Sequence, residues 1–245
     1  MPVNRNPESA PSVTPPRLFV DADLVAGCPV AATAEQAHYL GGVMRRSAGD
    51  PIVLFNGRDG EWQGTIESIR KDRAQFQPTT QTRIQAPEPG PWLVFALLKR
   101  DSTDLVVQKA TELGASALLP VLTERTNAGR VNEARLHAIA LEAAEQCERL
   151  TIPTIHAPAR LHAILDLWPA ERPLFAAVER QNAQPLPPDP NAGLLVGPEG
   201  GFSRVELDAL RGYSFVTPIT LGPRVLRAET ACIAGLALLQ ALPRS

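Results

Sequence analysis

Two glycine loops near the end of the chain, each directly after a short aliphatic run, limit the folds open to it. Leu194, Leu195 and Val196 lead into Gly197-Pro198-Glu199-Gly200-Gly201, and Phe215 to Thr220 leads into a second loop from Leu221 to Ala228. That pattern predicts buried strands feeding tight turns. Glycine at Gly197, Gly200 and Gly201 permits positive φ and removes the Cβ that would hold a ligand away from main-chain groups, while Pro198 stiffens the turn. Ser203 stands at an N-cap position and Glu206 completes the capping-box spacing, which predicts a short helix through about Leu210. Ligands in open α/β sheets sit beyond the carboxyl ends of the strands, so the two loops read as two walls of one pocket. A lone G-P-E-G-G can be an ordinary turn. The second loop shifts the weight, because Arg224, Arg227 and Glu229 fall within six residues beside a helix start.

Upstream, strand and helix patterns alternate. Trp92 to Leu98 reads as a strand, Ser102 to Leu113 as a helix with Leu105, Val106 and Ala110 inward, and Gly114 as its stop. Leu118 to Leu122 is the next strand. Asn132 caps a helix from Glu133 to Leu150 whose apolar face holds Leu136, Ile139, Ala140, Ala143 and Cys147. Leu161 to Trp168 is a shorter helix and Leu174 to Val178 a strand. Such βαβ alternation predicts a mostly parallel sheet with helices on both faces. The final helix carries Ile233, Leu236, Leu238, Leu239 and Leu242, with Ala231, Ala234, Gly235 and Ala237 keeping part of its surface small.

The first third reads differently. Residues 1–16 hold five prolines and no periodicity, a disordered tail. Arg17 to Val20, Pro51 to Phe55 and Glu61 to Ile69 are short strands, the last two joined by a hairpin turn at Asn56-Gly57 and Asp59-Gly60. His38 to Arg45 reads as a helix end followed by a loop. Four prolines from Pro78 to Pro91 mark a linker. The expected division is a tail at 1–16, a small β domain at 17–77, a linker at 78–91 and an α/β domain at 92–245.

Composition removes several classes. Net charge is −2, with no basic half, so nonspecific coating of nucleic acid is disfavoured and any RNA binding must use local patches. Only Lys71, Lys99 and Lys109 among the 24 basic residues are lysine, a bias that suits planar, bidentate contacts. Cys28, Cys147 and Cys232 are widely spaced and the four histidines form no cluster, which argues against a disulfide framework or a metal and fits a reducing cytoplasm. The longest uncharged apolar run, Thr230 to Pro243, is too short for a membrane span, and no secretion signal opens the chain.

L-L-V-G-P-E-G-G-F-S-x-x-E followed by I-T-L-G-P-R-V-L-R-A-E-T-A resembles the signature of the SPOUT-class RNA methyltransferases, and in detail the RsmE family. The likeness extends to Lys99, Gln108 to Gly114, Pro120, Thr123 to Thr126 and Ala144 to Arg149, with Cys147 where the pattern usually shows serine. In the first domain it takes in Arg17, His38, Val43, Arg45, Gly49 and Asp50. The resemblance implies an α/β domain with a C-terminal trefoil knot, a PUA-like β-barrel domain that binds RNA, a homodimer, and methylation of uridine N3 in 16S rRNA of the small ribosomal subunit with S-adenosylmethionine as donor. It implies donor binding by Leu195, Gly197, Glu199, Gly200, Gly201, Leu221, Gly222, Arg224, Leu226 and Thr230. Arg227 is the first catalytic candidate, with Arg17 second, and the proton acceptor stays open between solvent, Glu229 and a phosphate. RNA contacts fall to Arg17, Arg45, Arg46, Gln146 and Arg149, although the same charges also suit a solvated surface or helix ends. Two alternatives stay open: a noncatalytic RNA-binding protein, and a SPOUT methyltransferase acting on another nucleotide. A dehydrogenase ranks below both, because no G-x-G-x-x-G follows the first strand of a βαβ unit.

Overall fold

The computed structural model describes residues 14–127, 131–178 and 183–241, so residues 1–13 of the expected tail, and Leu242, lie outside it. The chain divides into two compact units, residues 1–86 and 87–245. In the first, β1 (Arg17–Phe19), β2 (Val30–Ala31), β3 (Pro51–Phe55), β4 (Glu61–Arg70) and β5 (Arg73–Arg83) form a sheet of order β1-β3-β4-β5-β2. Helix α1 (Ala34–His38) has a complete Thr33/Gln36 capping box and runs directly into a π-helical turn, Tyr39–Val43, where a loop is expected from sequence. Leu18, Leu40, Ile52, Leu54, Ile66 and Phe76 lead the core.

The hairpin turn forms as expected, with Asn56 Oδ1 accepting from the N–H groups of Arg58 and Asp59. The linker needs correction. Strand β5 runs through Pro78, which pairs with Gly64, to Arg83, and the units divide between Ala86 and Pro87. Proline persists there because β5 also carries register shifts against β4, the irregular setting in which a missing N–H is tolerated.

The second unit is a parallel sheet of order β11-β13-β10-β12-β6-β7-β8, with β9 also on β7. Its strands are β6 (Trp92–Ala96), β7 (Ala117–Leu122), β8 (Thr154–Ile155), β9 (Ala159–Arg160), β10 (Leu174–Ala177), β11 (Gln184–Pro185), β12 (Gly193–Val196) and β13 (Val216–Thr220). Its helices are α2 (Arg100–Glu112), α3 (Glu133–Gln146), α4 (Leu161–Asp166), α5 (Arg204–Arg211) and α6 (Ala228–Leu239). Strand alternation sorts the core into two layers. Leu93, Phe95, Leu194 and Val196 join α2, α3 and α6, whereas Val94, Ala96, Leu195 and Ala176 join α4 and α5. Gly235 lets α6 lie directly on β12, since an added Cβ would collide with Leu194.

Two details of α2 differ from expectation. Leu105 is exposed, and Thr103, Val106, Val107, Ala110 and Thr111 make the inner face. The helix also starts earlier, at Arg100, because Thr103 Oγ1 bonds the main chain of Leu98 and locks the strand's exit.

Arg149 is a structural tie. It is only 8% exposed, and its Nη1 donates to the carbonyls of Thr111 (2.9 Å) and Ala115 (2.8 Å). Its Nε lies 3.6 Å from Glu88, whose carboxylate accepts from the N–H groups of Leu150 and Thr151 and from the Thr151 hydroxyl at 2.6 Å. Burial is the largest single influence on Glu88 and raises its pKa. The bonds from Thr151 and Leu150, with the charge of Arg149, outweigh it and hold the carboxyl below its ordinary 4.5. A depressed folded pKa contributes stability that is present above the unfolded pKa and is lost as pH falls through the folded one. Glu88→Gln is therefore expected to lower the unfolding temperature at pH 7 and to leave a smaller difference from wild type below about pH 4, measured by calorimetric melts across pH. A constant difference would remove the carboxylate from that role.

Candidate functional site

Strands β12, β10 and β13 lie side by side, and a cavity of about 690 Å³ opens at their carboxyl ends. A volume of this size is that of a small-molecule site. One wall is the loop after β12, with Gly197, Glu199, Gly200, Gly201 and Phe202. The other is the loop after β13, with Leu221, Gly222, Arg224, Leu226 and Arg227. Ala177 and Val178 close the floor, and Ala228 and Ala231 of α6 stand at one side.

The glycines serve different ends. Gly201 (φ +67°) and Gly222 (φ +120°) occupy backbone conformations that L side chains resist, and a Cβ on either would meet no protein atom within 4 Å. A cradle that side chains would fill is what close approach of a ligand to the main chain requires. Gly197 instead makes room for the Phe202 ring, 3.0 Å from where its Cβ would stand, and Gly200 lies against the Arg125 side chain.

The Ser203/Glu206 capping box is complete, and Glu206 does more than cap. One carboxylate oxygen accepts from Ser203 N and the other from Glu124 N, both at 2.8 Å. The turn after β7 is thereby fastened to the loop after β12, and Arg125 Nη1 adds a bond of 2.8 Å to the Gly200 carbonyl. Arg125 lines the cavity. From sequence it stands only within the family motif at Thr123 to Thr126; Arg125 and Gly200 are 75 positions apart, and no local signal announces their meeting.

Arg227 is the N-cap residue of α6, exposed at the cavity, and its side chain makes no capping bond. Leu221 and Leu226 touch both the core and the cavity. The cavity lining holds arginines and Glu199 but no lysine. Within α6, burial, then the charge of Glu229, raises the pKa of the buried Cys232 thiol, a setting that disfavours the thiolate. Among the described residues no group of three or more His, Cys, Asp or Glu is arranged to hold a metal.

Several expected site residues stand elsewhere. Leu195 is fully buried in the α4/α5 layer, because alternation along β12 turns it away from the face of Leu194 and Val196. Thr230 is exposed and Glu229 half-buried in the first turn of α6, and neither lines the cavity. Gln146 lines a smaller hollow between α2 and α3 with Lys109 and Glu142. Arg149 is engaged by the tie to Glu88, Thr111 and Ala115 and is buried. In the first unit Arg17 is paired to Glu61 at 2.8 Å, its guanidinium 3.7 Å above the Phe55 ring and its side chain 9% exposed. In that setting the guanidinium holds β1 to β4. Arg45 is exposed at φ +53°, and Arg46 donates to the Thr14 carbonyl at 3.1 Å.

A family model described as an RNA methyltransferase domain matches residues 87–240, and one described as an RNA methyltransferase PUA domain matches residues 32–79. Sheet, cavity and models together define an RNA methyltransferase of the SPOUT type with an N-terminal PUA domain. Ribosomal RNA small subunit methyltransferase E of Rickettsia conorii is 30% identical over 92% of this chain and 95% of its own length. The Synechocystis protein of the same name is 32% identical over 94% of this chain and 78% of its own. The chain belongs to the ribosomal RNA small subunit methyltransferase E family. Among solved structures, a Legionella pneumophila methyltransferase with bound SAM superposes with a TM-score of 0.83 at 28% identity, covering 93% of this chain and 98% of that one. The Neisseria gonorrhoeae family member bound to S-adenosyl methionine gives 0.81 at 27%, covering 92% and 97%.

Proposed function

We propose that the chain uses S-adenosylmethionine to methylate N3 of one uridine in 16S rRNA of the small ribosomal subunit, as a cytoplasmic homodimer. The observation that carries this reading is the meeting of two glycine loops at one cavity with Arg227 at its edge. Family membership and the donor-bound structures of the Legionella and Neisseria relatives support it.

When bound, S-adenosylmethionine supplies an electrophilic methyl group on a positively charged sulfur. Gly197 to Gly201 and Leu221 to Leu226 would hold it, with main-chain groups reading the adenine, Leu221 and Leu226 giving apolar contact, and Glu199 giving a counter-charge. The chain's remaining task is at the acceptor. Loss of the uridine N3 proton spreads negative charge over N3, O2 and O4, and a fixed donor aimed at a carbonyl oxygen stabilises that charge as an oxyanion hole does. Arg227 is the residue given this role, and its position at the cavity, beside the positive end of α6, supports it. Glu229 lies outside the cavity lining, which leaves solvent or an RNA phosphate to take the proton. Positioning of the two reactants supplies most of the rate.

Mass spectrometry of nucleosides from 16S rRNA, with and without this protein, tests the reading. It should show 3-methyluridine only when the protein is present. A different methylated nucleoside would select the SPOUT alternative, and no change together with no donor binding would leave an RNA-binding protein.

A further inference from the structure

We infer that Arg125 is a positioning residue: from the turn after β7 it holds the first glycine loop in the shape that receives the methyl donor. The inference rests on the functional reading above, and it concerns how the cavity is kept open.

The turn is braced before it touches anything else. Thr126 Oγ1 accepts from Thr123 N at 2.9 Å and shares a hydrogen bond with Thr123 Oγ1, also 2.9 Å, and Thr126 N closes back on Thr123 O. Two bonds then cross to the loop after β12. Glu124 N meets Glu206 Oε1, and Arg125 Nη1 meets the Gly200 carbonyl, both at 2.8 Å.

The crossings do different work. The Glu206 bond ends at the capping box of α5 and so fixes the helix. Arg125 ends at Gly200, next to Gly201, where φ is +67°. Gly201 N closes a turn on Pro198 O at 2.8 Å, and Arg125 adds an outside grip on that turn at its exposed glycines. A loop of glycines has wide conformational freedom, and holding one shape costs entropy that a charge-assisted bond offsets. Without that bond the loop samples other shapes, and donor affinity falls by the fraction of time the receptive one is lost.

The test uses Arg125→Ala and Arg125→Lys in the full-length protein. Three quantities are read: donor affinity by calorimetry, KM for donor and kcat on small-subunit rRNA, and amide hydrogen exchange of residues 197–203 without donor. For Arg125→Ala, affinity should fall about tenfold, the loss of one hydrogen bond to a charged group. KM should rise with it, kcat at saturating donor should change less than about twofold, and exchange in 197–203 should accelerate with the melting temperature unchanged. Arg125→Lys should recover part of the affinity and of the protection. Unchanged affinity and exchange would overturn the inference, as would a fall in kcat at constant donor affinity. If the wild type bound no donor, the methyltransferase reading would fail by itself, and exchange in 197–203 would still decide whether Arg125 holds the loop.

Discussion

Arg227→Ala should lower turnover on small-subunit rRNA by about 10²–10³, while donor affinity stays within about threefold of wild type. That loss is typical for one preorganised donor aimed at developing negative charge, about 3–4 kcal/mol. The asymmetry follows from location. Arg227 closes the second loop at the start of α6, and among the described residues no hydrogen bond or ion pair engages its guanidinium, so the group is free to meet the acceptor. Removing it breaks no side-chain hydrogen bond or ion pair among the described residues, and the melting temperature should not move. Turnover is read under saturating donor and RNA, with affinity by calorimetry. If affinity fell and saturated turnover did not, Arg227 would be a donor-binding residue.

The second large effect is expected at Gly222. Its φ of +120° is closed to branched side chains, and a Cβ there would stand in open space. Gly222→Val therefore strains the loop by about 1–3 kcal/mol and also fills part of the cavity, so donor affinity should drop by roughly 100-fold. The residue is exposed and its N–H bonds only the nearby Thr220 hydroxyl, so the fold should survive. Gly27→Val supplies the control. Gly27 has a similar φ of +80°, is exposed and also faces open space, but belongs to the first unit. It should leave donor binding intact. Equal effects of the two substitutions would mean that backbone strain alone is being measured, and that the second loop is no part of the donor site.

What the residues determined by themselves was local and periodic. Aliphatic runs bounded by glycine and proline marked β6, β7, β10, β12 and β13, and the Ser203/Glu206 spacing marked the start of α5, because period and capping act within a few residues. The two glycine loops were visible for the same reason. Only the tertiary structure decided which neighbours each side chain met. Leu195 faces away from the cavity because strand alternation assigns it to the other layer. Arg149 and Arg17 read as free cations until Glu88, 61 positions before Arg149, and Glu61, 44 positions after Arg17, were found to be their partners. Arg125 became part of the site because β7 ends beside a loop 75 residues later in the chain. Contacts across such separations are set by how the layers pack, and no short stretch of sequence encodes them.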